Sequence, residues 1–257
     1  MSYQSYTSSP EYLRSQTSGP TLEEVTKNPP FRWSFSQWET YQACPAKWNF
    51  GSRLKLPRKP PGPAAARGLE IHDSVEKYIN GGPPEALHPA VKAKYIPILD
   101  EFRNHPNGDR YTEKKLAFDS EWYLTGTTTK WAACIGVLDA VRFIRPHAVD
   151  VGVLHVGEWK SGKPKDTHVD QRKLYAMFGM KAWLADEVYV TTYYLEDTGP
   201  PQRLALKSMA GFETLKTLWN ERIRMMQRDE ICAPKPSYQC NWCDFSKKNA
   251  GPCQFGG

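Results

Sequence analysis

Val153-Leu-His-Val-Gly-Glu158-Trp-Lys160-Ser-Gly162 decides the fold. Leu154 and Val156 recur at period 2, and Glu158 and Lys160 follow in the same phase, so one face of a β-strand turns from hydrocarbon to charge. A carboxylate next to a core position needs a partner, because burying it alone is costly. The apolar stretch before it, Gly136-Val-Leu-Asp139-Ala-Val, carries a second carboxylate inside a strand, and a divalent cation is the strongest partner for such a group. If the two strands pair, Asp139 comes beside Glu158 and Lys160. Two carboxylates with a lysine can hold Mg²⁺ or Mn²⁺ through oxygen ligands. Lys160 would then stabilise phosphate charge or orient an attacking water, and His72, from an earlier helix, offers a nitrogen ligand. An isolated Glu-x-Lys is usually a surface pair, so the weight rests on the surrounding order of residues.

Upstream of these strands the apolar period is near 3.6. Ser36-Gln37-Trp38-Glu39 reads as a capping box that opens a helix bearing Trp38, Tyr41 and Trp48, which Pro45 ends or restarts. Arg53 to Pro63 is a basic, proline-rich loop. A helix from Ala64 sets Leu69, His72, Val75, Tyr78 and Ile79 on one side and stops at Gly81-Gly82. A weaker helix over Pro89 to Arg103 is interrupted at Pro97. Then Leu116–Phe118, Trp122–Leu124, Trp131–Phe143 and Val149–Lys160 read as strands. Asp166–Trp183 is helical, Glu187–Leu195 alternates as a strand, and Ser208 caps a helix through Met226 with Phe212, Leu215, Trp219, Ile223 and Met226 as its stripe. This order predicts an α/β fold: one central mixed β-sheet flanked by helices, followed by a Cys-rich C-terminal segment. The expected organisation is a flexible tail over 1–30, a catalytic domain over 31–235, and the Cys-rich segment over 236–257.

The chain has 257 residues, a formal charge of +6 and 40% hydrophobic residues. Its pI is near 8.9 and its mean hydropathy is −0.63. No run approaches the roughly 18 apolar residues of a membrane span. Met1–Pro30 lacks an apolar leader, which leads to the expectation of a reducing cytoplasm. There, six cysteines point to metal or redox chemistry rather than disulfides. Gly157-Glu-Trp-Lys-Ser-Gly162-Lys163-Pro164 nearly spells a phosphate-binding loop, but Pro164 stands where Ser or Thr would hold Mg²⁺, so ATP binding is rejected.

The ordered set Arg67-Gly68-Leu-Glu-Ile-His72, Gly136-Val-Leu-Asp139, Glu158-Trp-Lys160-Ser-Gly162 and Gln171-Arg-Lys-Leu-Tyr175 follows Ser34-Phe-Ser36 and Tyr41-Gln-Ala-Cys44-Pro45. Over residues 34–253 it resembles the PD-(D/E)XK nuclease superfamily, in particular the RecB-like branch with the iron–sulfur CRISPR-adaptation nucleases and phage exonucleases. The resemblance implies a restriction-endonuclease-like core. It makes His72, Asp139, Glu158 and the main-chain carbonyl of Trp159 metal ligands, Lys160 the catalytic lysine, and Gln171 with Tyr175 a pair on one helical face beside the active site and the DNA. Tyr175 fits core packing with Leu174 and Phe178 equally well. Glu113 resembles an acidic position of the family, but no ligand role is carried onto it.

The implied activity is a metal-dependent DNA exonuclease serving end processing in recombination, repair or phage replication. DNA is the implied partner, with a single-strand-binding, annealing or helicase protein as a further candidate. A non-catalytic nucleic-acid-binding module with a structural zinc or iron–sulfur site is the competing reading. A carboxylate pair that repels phosphate argues against it. A sequence-specific endonuclease on the same fold lacks a visible recognition domain.

Cys240-Asn-Trp-Cys243 and Cys253 leave a fourth thiolate to find. The resemblance supplies Cys44 and a 4Fe–4S cluster, and zinc accepts the same four thiolates. Cys232 could replace one ligand, whereas Cys134, within a strand, reads as an ordinary buried thiol. His88, His105, His147, His155 and His168 show no metal-type spacing.

Overall fold

The computed structural model describes residues 31–106, 109–145, 152–196 and 199–256. The expected tail over 1–30, His147 and the start of the strand expected from Val149 lie outside them. Helix α1 is Phe35–Ala43, and α2 is the short Pro45–Trp48, continued by a π-turn over Asn49–Arg53. The α1 cap is Ser34, not Ser36: the Ser34 hydroxyl accepts from the Gln37 amide, and Ser36 is already inside the helix. Pro45 restarts the helix at its first turn, where a missing N–H costs nothing.

Helices α3 (Pro63–Ile79) and α4 (Ile96–Arg103) follow. Pro97 lies in the first turn of α4, so it opens that helix rather than interrupting it. Leu69 departs from the expected apolar side of α3 and is 64% exposed, while Ile71, Val75, Tyr78 and Ile79 are buried.

The six described strands run β1 (Arg110–Phe118), β2 (Leu124–Thr125), β3 (Cys134–Ile144), β4 (Val153–Lys160), β5 (Glu187–Tyr194) and β6 (Gln202–Leu206). They form one sheet in the order β2-β1-β3-β4-β5-β6. The β4–β5 pair is parallel and the other neighbours are antiparallel, so the sheet is mixed as expected. Trp131 belongs to a turn, and β3 begins only at Cys134. Helix α5 (Thr167–Trp183) makes the crossover that the parallel pair requires. Helix α6 (Met209–Arg228) closes the fold, with the Ser208 hydroxyl accepting from the Gly211 amide.

Two apolar cores clasp the sheet. On one face Leu174 and Phe178 of α5, Phe212 and Trp219 of α6 and Trp38 of α1 pack on Leu116, Leu138, Leu154 and Val188. On the other, Ile71, Val75 and Ile79 of α3 and Leu99 and Phe102 of α4 pack on Ala140 and Trp159. Helix α5 sits close to the strands because glycines leave room for it. A Cβ on Gly136 would stand 2.4 Å from the Phe178 ring, and one on Gly179 would stand 2.6 Å from Leu154. No helix among the described residues is long and apolar enough to cross a membrane.

Candidate metal-dependent active site

The β3–β4 ladder closes at Ala140–Gly157, and the next positions along are Asp139 and Glu158. There the Trp159 amide donates to Asp139 Oδ2 at 2.7 Å, a side chain taking over where main-chain pairing stops. The two acids arrive from opposite faces. Glu158 points to the α5 layer, where its Oε1 accepts from Lys160 Nζ and from Gln171 Nε2, each at 2.6 Å. Asp139 points to the α3 layer, with Oδ2 3.6 Å from His72 Nδ1. Within β4, Glu158 and Lys160 share the α5 side with Leu154 and Val156 as the period-2 spacing requires, and Asp139 comes beside them from the other face, at the parted end of the two strands.

That arrangement needs a break in strand alternation. Leu138 and Val141 both face the α5 side although they are three apart, while Ala140 faces α3 together with its neighbour Asp139. Across the ladder, Lys114 pairs with Leu138 and Thr112 with Ala140. Between them Glu113 adopts a left-handed φ of 45°. Thr112 and Glu113 also both turn to α3, since Asn80 donates to the Thr112 hydroxyl and Glu113 reaches the His72 group. A non-glycine residue held there costs about 1–3 kcal/mol, the kind of strain found at functional sites. Its consequence is a cluster: potential ligand atoms of His72, Glu113 and Asp139 all lie within 4.8 Å of one another.

Glu113 is the acid that sequence reasoning noticed and left without a role. A signal was present, because alternation counted back from Leu116 turns Glu113 away from α5 and towards the helix that carries His72.

The electrostatics describe a group of acids short of positive charge. Burial pushes the Asp139 carboxyl well above its usual range, the Glu158 charge adds to this, and Lys160 and the Trp159 amide oppose it. Burial also raises Glu113, helped by Glu76 and Glu158. Burial lowers His72, leaving the neutral imidazole that a metal requires, although Glu158 pulls the other way. For Lys160 burial acts downward, but Glu158 and Asp139 together outweigh it and hold the ammonium charged.

Gln171 and Tyr175 come together on α5 as their spacing requires. The Tyr175 ring stacks on Phe178 at 5.9 Å between centroids. Tyr175 is buried, as the core-packing reading of it expects, while Gln171 one turn earlier donates to Glu158.

The profile of the PD-(D/E)XK nuclease superfamily matches residues 32–247. The chain belongs to this superfamily. No curated protein matches it. Among solved structures, SSO0001 is 14% identical at a TM-score of 0.42, with 87% of each chain covered. A candidate exonuclease from Eubacterium rectale is 12% identical at 0.41, covering 82% of this chain and 86% of that one. LHK-Exo in complex with dAMP is 14% identical at 0.36, covering 76% and 88%.

PD-(D/E)XK nucleases use divalent metals, and the residues of this one fit such an ion. Glu158 Oε1 is saturated by two donors, whereas Oε2 is buried with no hydrogen-bond partner. An orphaned buried carboxylate oxygen costs at least about 1–3 kcal/mol, which a cation beside it would remove. Gln171→Ala removes one charge-assisted bond to Glu158, worth about 1.5–3 kcal/mol. If that bond serves the transition state, specific activity is expected to fall about 10- to 100-fold. Tyr175→Phe keeps the ring and should lower activity with a thermal midpoint within about 2 °C of the parent. A sharp fall in midpoint with normal specific activity would assign both residues to packing alone.

The nuclease also gathers its cysteines. Cys44, between α1 and α2, lines one cavity with Cys240, Cys243 and Cys253, together with Phe50, Phe245 and Phe255. Main-chain amides already face two of the sulfurs: Lys235 N donates to Cys44 Sγ at 3.5 Å and Ser237 N to Cys240 Sγ at 3.3 Å. Cys232 stands apart, its thiol donating to the Asp229 carbonyl at 3.2 Å, and Cys134 is buried in β3. Neither belongs to the cavity. His168 pairs with the Tyr194 hydroxyl and His105 with the Phe143 carbonyl, and neither belongs to the His72–Glu113–Asp139 group.

Proposed function

We propose that the chain is a divalent-metal-dependent deoxyribonuclease acting at DNA ends, with a 4Fe–4S cluster as a structural clip. The observation that carries the reading is the buried Glu158 oxygen left without a partner beside Asp139 and a charged Lys160. In this reading His72, Glu113, Asp139, Glu158 Oε2 and the Trp159 main chain hold Mg²⁺ or Mn²⁺. The ion supplies a water of lowered pKa and charge for the scissile phosphate. Lys160, fastened to Glu158 Oε1, holds its ammonium where negative charge grows on the phosphate. Gln171 fixes Glu158 from the other side, leaving the second oxygen free for the ion. Asp139 is oriented by the Trp159 amide, so neither acid has to reorganise during reaction.

Action at ends and on DNA follows the likeness of the motif set to RecB-like exonucleases. The test is end-labelled single- and double-stranded DNA with Mg²⁺ or Mn²⁺, comparing free with blocked termini. Cleavage that ignores blocked ends would make the enzyme an endonuclease, and no cleavage with either metal would remove the catalytic reading.

Glu113→Gln is expected to raise the Mn²⁺ concentration for half-maximal cleavage, and the calorimetric Kd for Mn²⁺, by at least ~10-fold. Unchanged metal affinity would leave Glu113 as a bystander.

For the cysteines, the cluster is favoured by the likeness of the motif set to iron–sulfur nucleases and by Cys44 lining one cavity with Cys240, Cys243 and Cys253; zinc accepts the same four thiolates. A cluster held by half-buried thiolates suits the reducing cytoplasm included in this proposal.

A further inference from the structure

Two aromatic side chains of the Cys-rich segment stand in solvent. Tyr238 and Trp242 bracket the 3₁₀ turn Tyr238–Trp242, and each is 73% exposed. Their rings meet edge to face at 6.1 Å. Trp242 lies between Cys240 and Cys243, so whatever fixes those thiols fixes the indole too.

The surroundings are cationic. Lys235 just before this segment and Lys247 and Lys248 within it are exposed, and Asp244 is the only acid after Glu230. The Arg53–Lys59 loop, with Arg53, Lys55, Arg58 and Lys59 and no acid, is tied to the same segment. Lys59 Nζ donates to Asn249 Oδ1 at 2.6 Å, and Phe50 packs on Phe245 at 5.6 Å. Exposed aromatic faces inside a lysine and arginine rim complement unpaired bases on a phosphate chain. Duplex DNA hides its base faces and offers only the phosphates.

We infer that Tyr238 and Trp242 form a stacking platform for single-stranded nucleic acid, so that unpaired strands are the favoured substrate of the metal centre. This rests on the nuclease reading for the class of substrate and deepens it. The two sites are linked by α1. Glu39, whose charge acts on Lys160, lies five residues before Cys44, about 7.5 Å by helical rise. A strand stacked on the platform therefore has only a few nucleotides to span before the acids.

The experiment is fluorescence anisotropy of a labelled oligothymidylate and of a closed-end hairpin duplex, with divalent metal withheld so that nothing is cleaved. Trp242→Ala and Tyr238→Ala are each expected to weaken oligothymidylate binding at least ~5-fold, the lower end for losing one stacked base. Trp242→Phe should retain most of the affinity, and the hairpin should bind all variants alike. Equal thermal midpoints show that the segment remains folded. Unchanged oligothymidylate affinity in folded Trp242→Ala, or an equal loss on the hairpin, overturns the platform. So does a dimer that dissociates on substitution without loss of oligothymidylate binding, which would make the patch a self-association surface. Cleavage of end-labelled DNA is scored separately. Trp242-dependent binding without any cleavage would defeat the nuclease reading and leave the platform standing.

Discussion

Asp139→Asn and Glu158→Gln proteins are expected to lose DNA cleavage, by at least ~100-fold, while binding DNA nearly as well as the parent. Both replacements are isosteric. The amide oxygen at 139 can still accept from the Trp159 amide, and that at 158 can still accept from Lys160 and Gln171. Asp139→Asn removes a negative charge that burial disfavours, whereas Glu158→Gln weakens the bond to Lys160, so cleavage is scored per folded protein with the thermal midpoint read beside it. DNA affinity should survive because it comes from basic side chains and counterion release. Lys160→Ala should lose at least ~100-fold as well, through the missing charge at the phosphate. The readouts are single-turnover cleavage of end-labelled DNA and the thermal midpoint in chelator. Undiminished cleavage by either acid variant would place the active centre elsewhere.

Cys240→Ser should show the second large effect, and it should be mechanical before it is chemical. The four-cysteine cavity joins Cys44, at the end of α1, to a segment in which Phe245 is the one large side chain buried. Closing so long a loop is worth about 5 kcal/mol in the chain-entropy description. For a protein of this size that corresponds to about 10–20 °C in thermal midpoint. Anaerobically purified parent should be brown, absorb broadly near ~400 nm and carry about four irons per chain. The serine variant should be pale, less soluble and less stable, with activity falling as the folded fraction falls. Colourless parent protein with one tightly held zinc and no iron would replace the cluster with zinc. Full stability in the serine variant would show that the segment docks without any clip.

Much of this architecture is legible in the residues, because periodicity reports burial. The period-2 run Leu154, Val156, Glu158, Lys160 locates β4 and its charged end, Ser208 locates the start of α6, and Gly81-Gly82 the end of α3, while α1 begins before the expected Ser36 cap. Strand β6 escapes notice: Gln202–Leu206 is a short edge strand with exposed residues in alternate positions, and it follows Pro200-Pro201. The acids of the candidate site are legible as residue types, but not their approach from two faces. That depends on the rotated backbone at Glu113 and on the end of the β3–β4 ladder, neither of which leaves a compositional trace. The exposed Tyr238–Trp242 pair is equally silent in sequence, where an aromatic residue in a Cys-rich stretch reads as packing material.

The close seat of α5 on the sheet has a consequence for how the chain can vary. Gln171 meets Glu158 at 2.6 Å, and that contact is calibrated about two turns away, where Gly179 lets the helix backbone approach Leu154. Across the seam Gly136 leaves space for Phe178, the ring on which Tyr175 rests. A single methyl group at either glycine would act as a shim, lifting the helix by a fraction of an ångström and carrying Gln171 away from its oxygen. Two positions with no functional group at all thus set the tolerance of the Gln171–Glu158 fit.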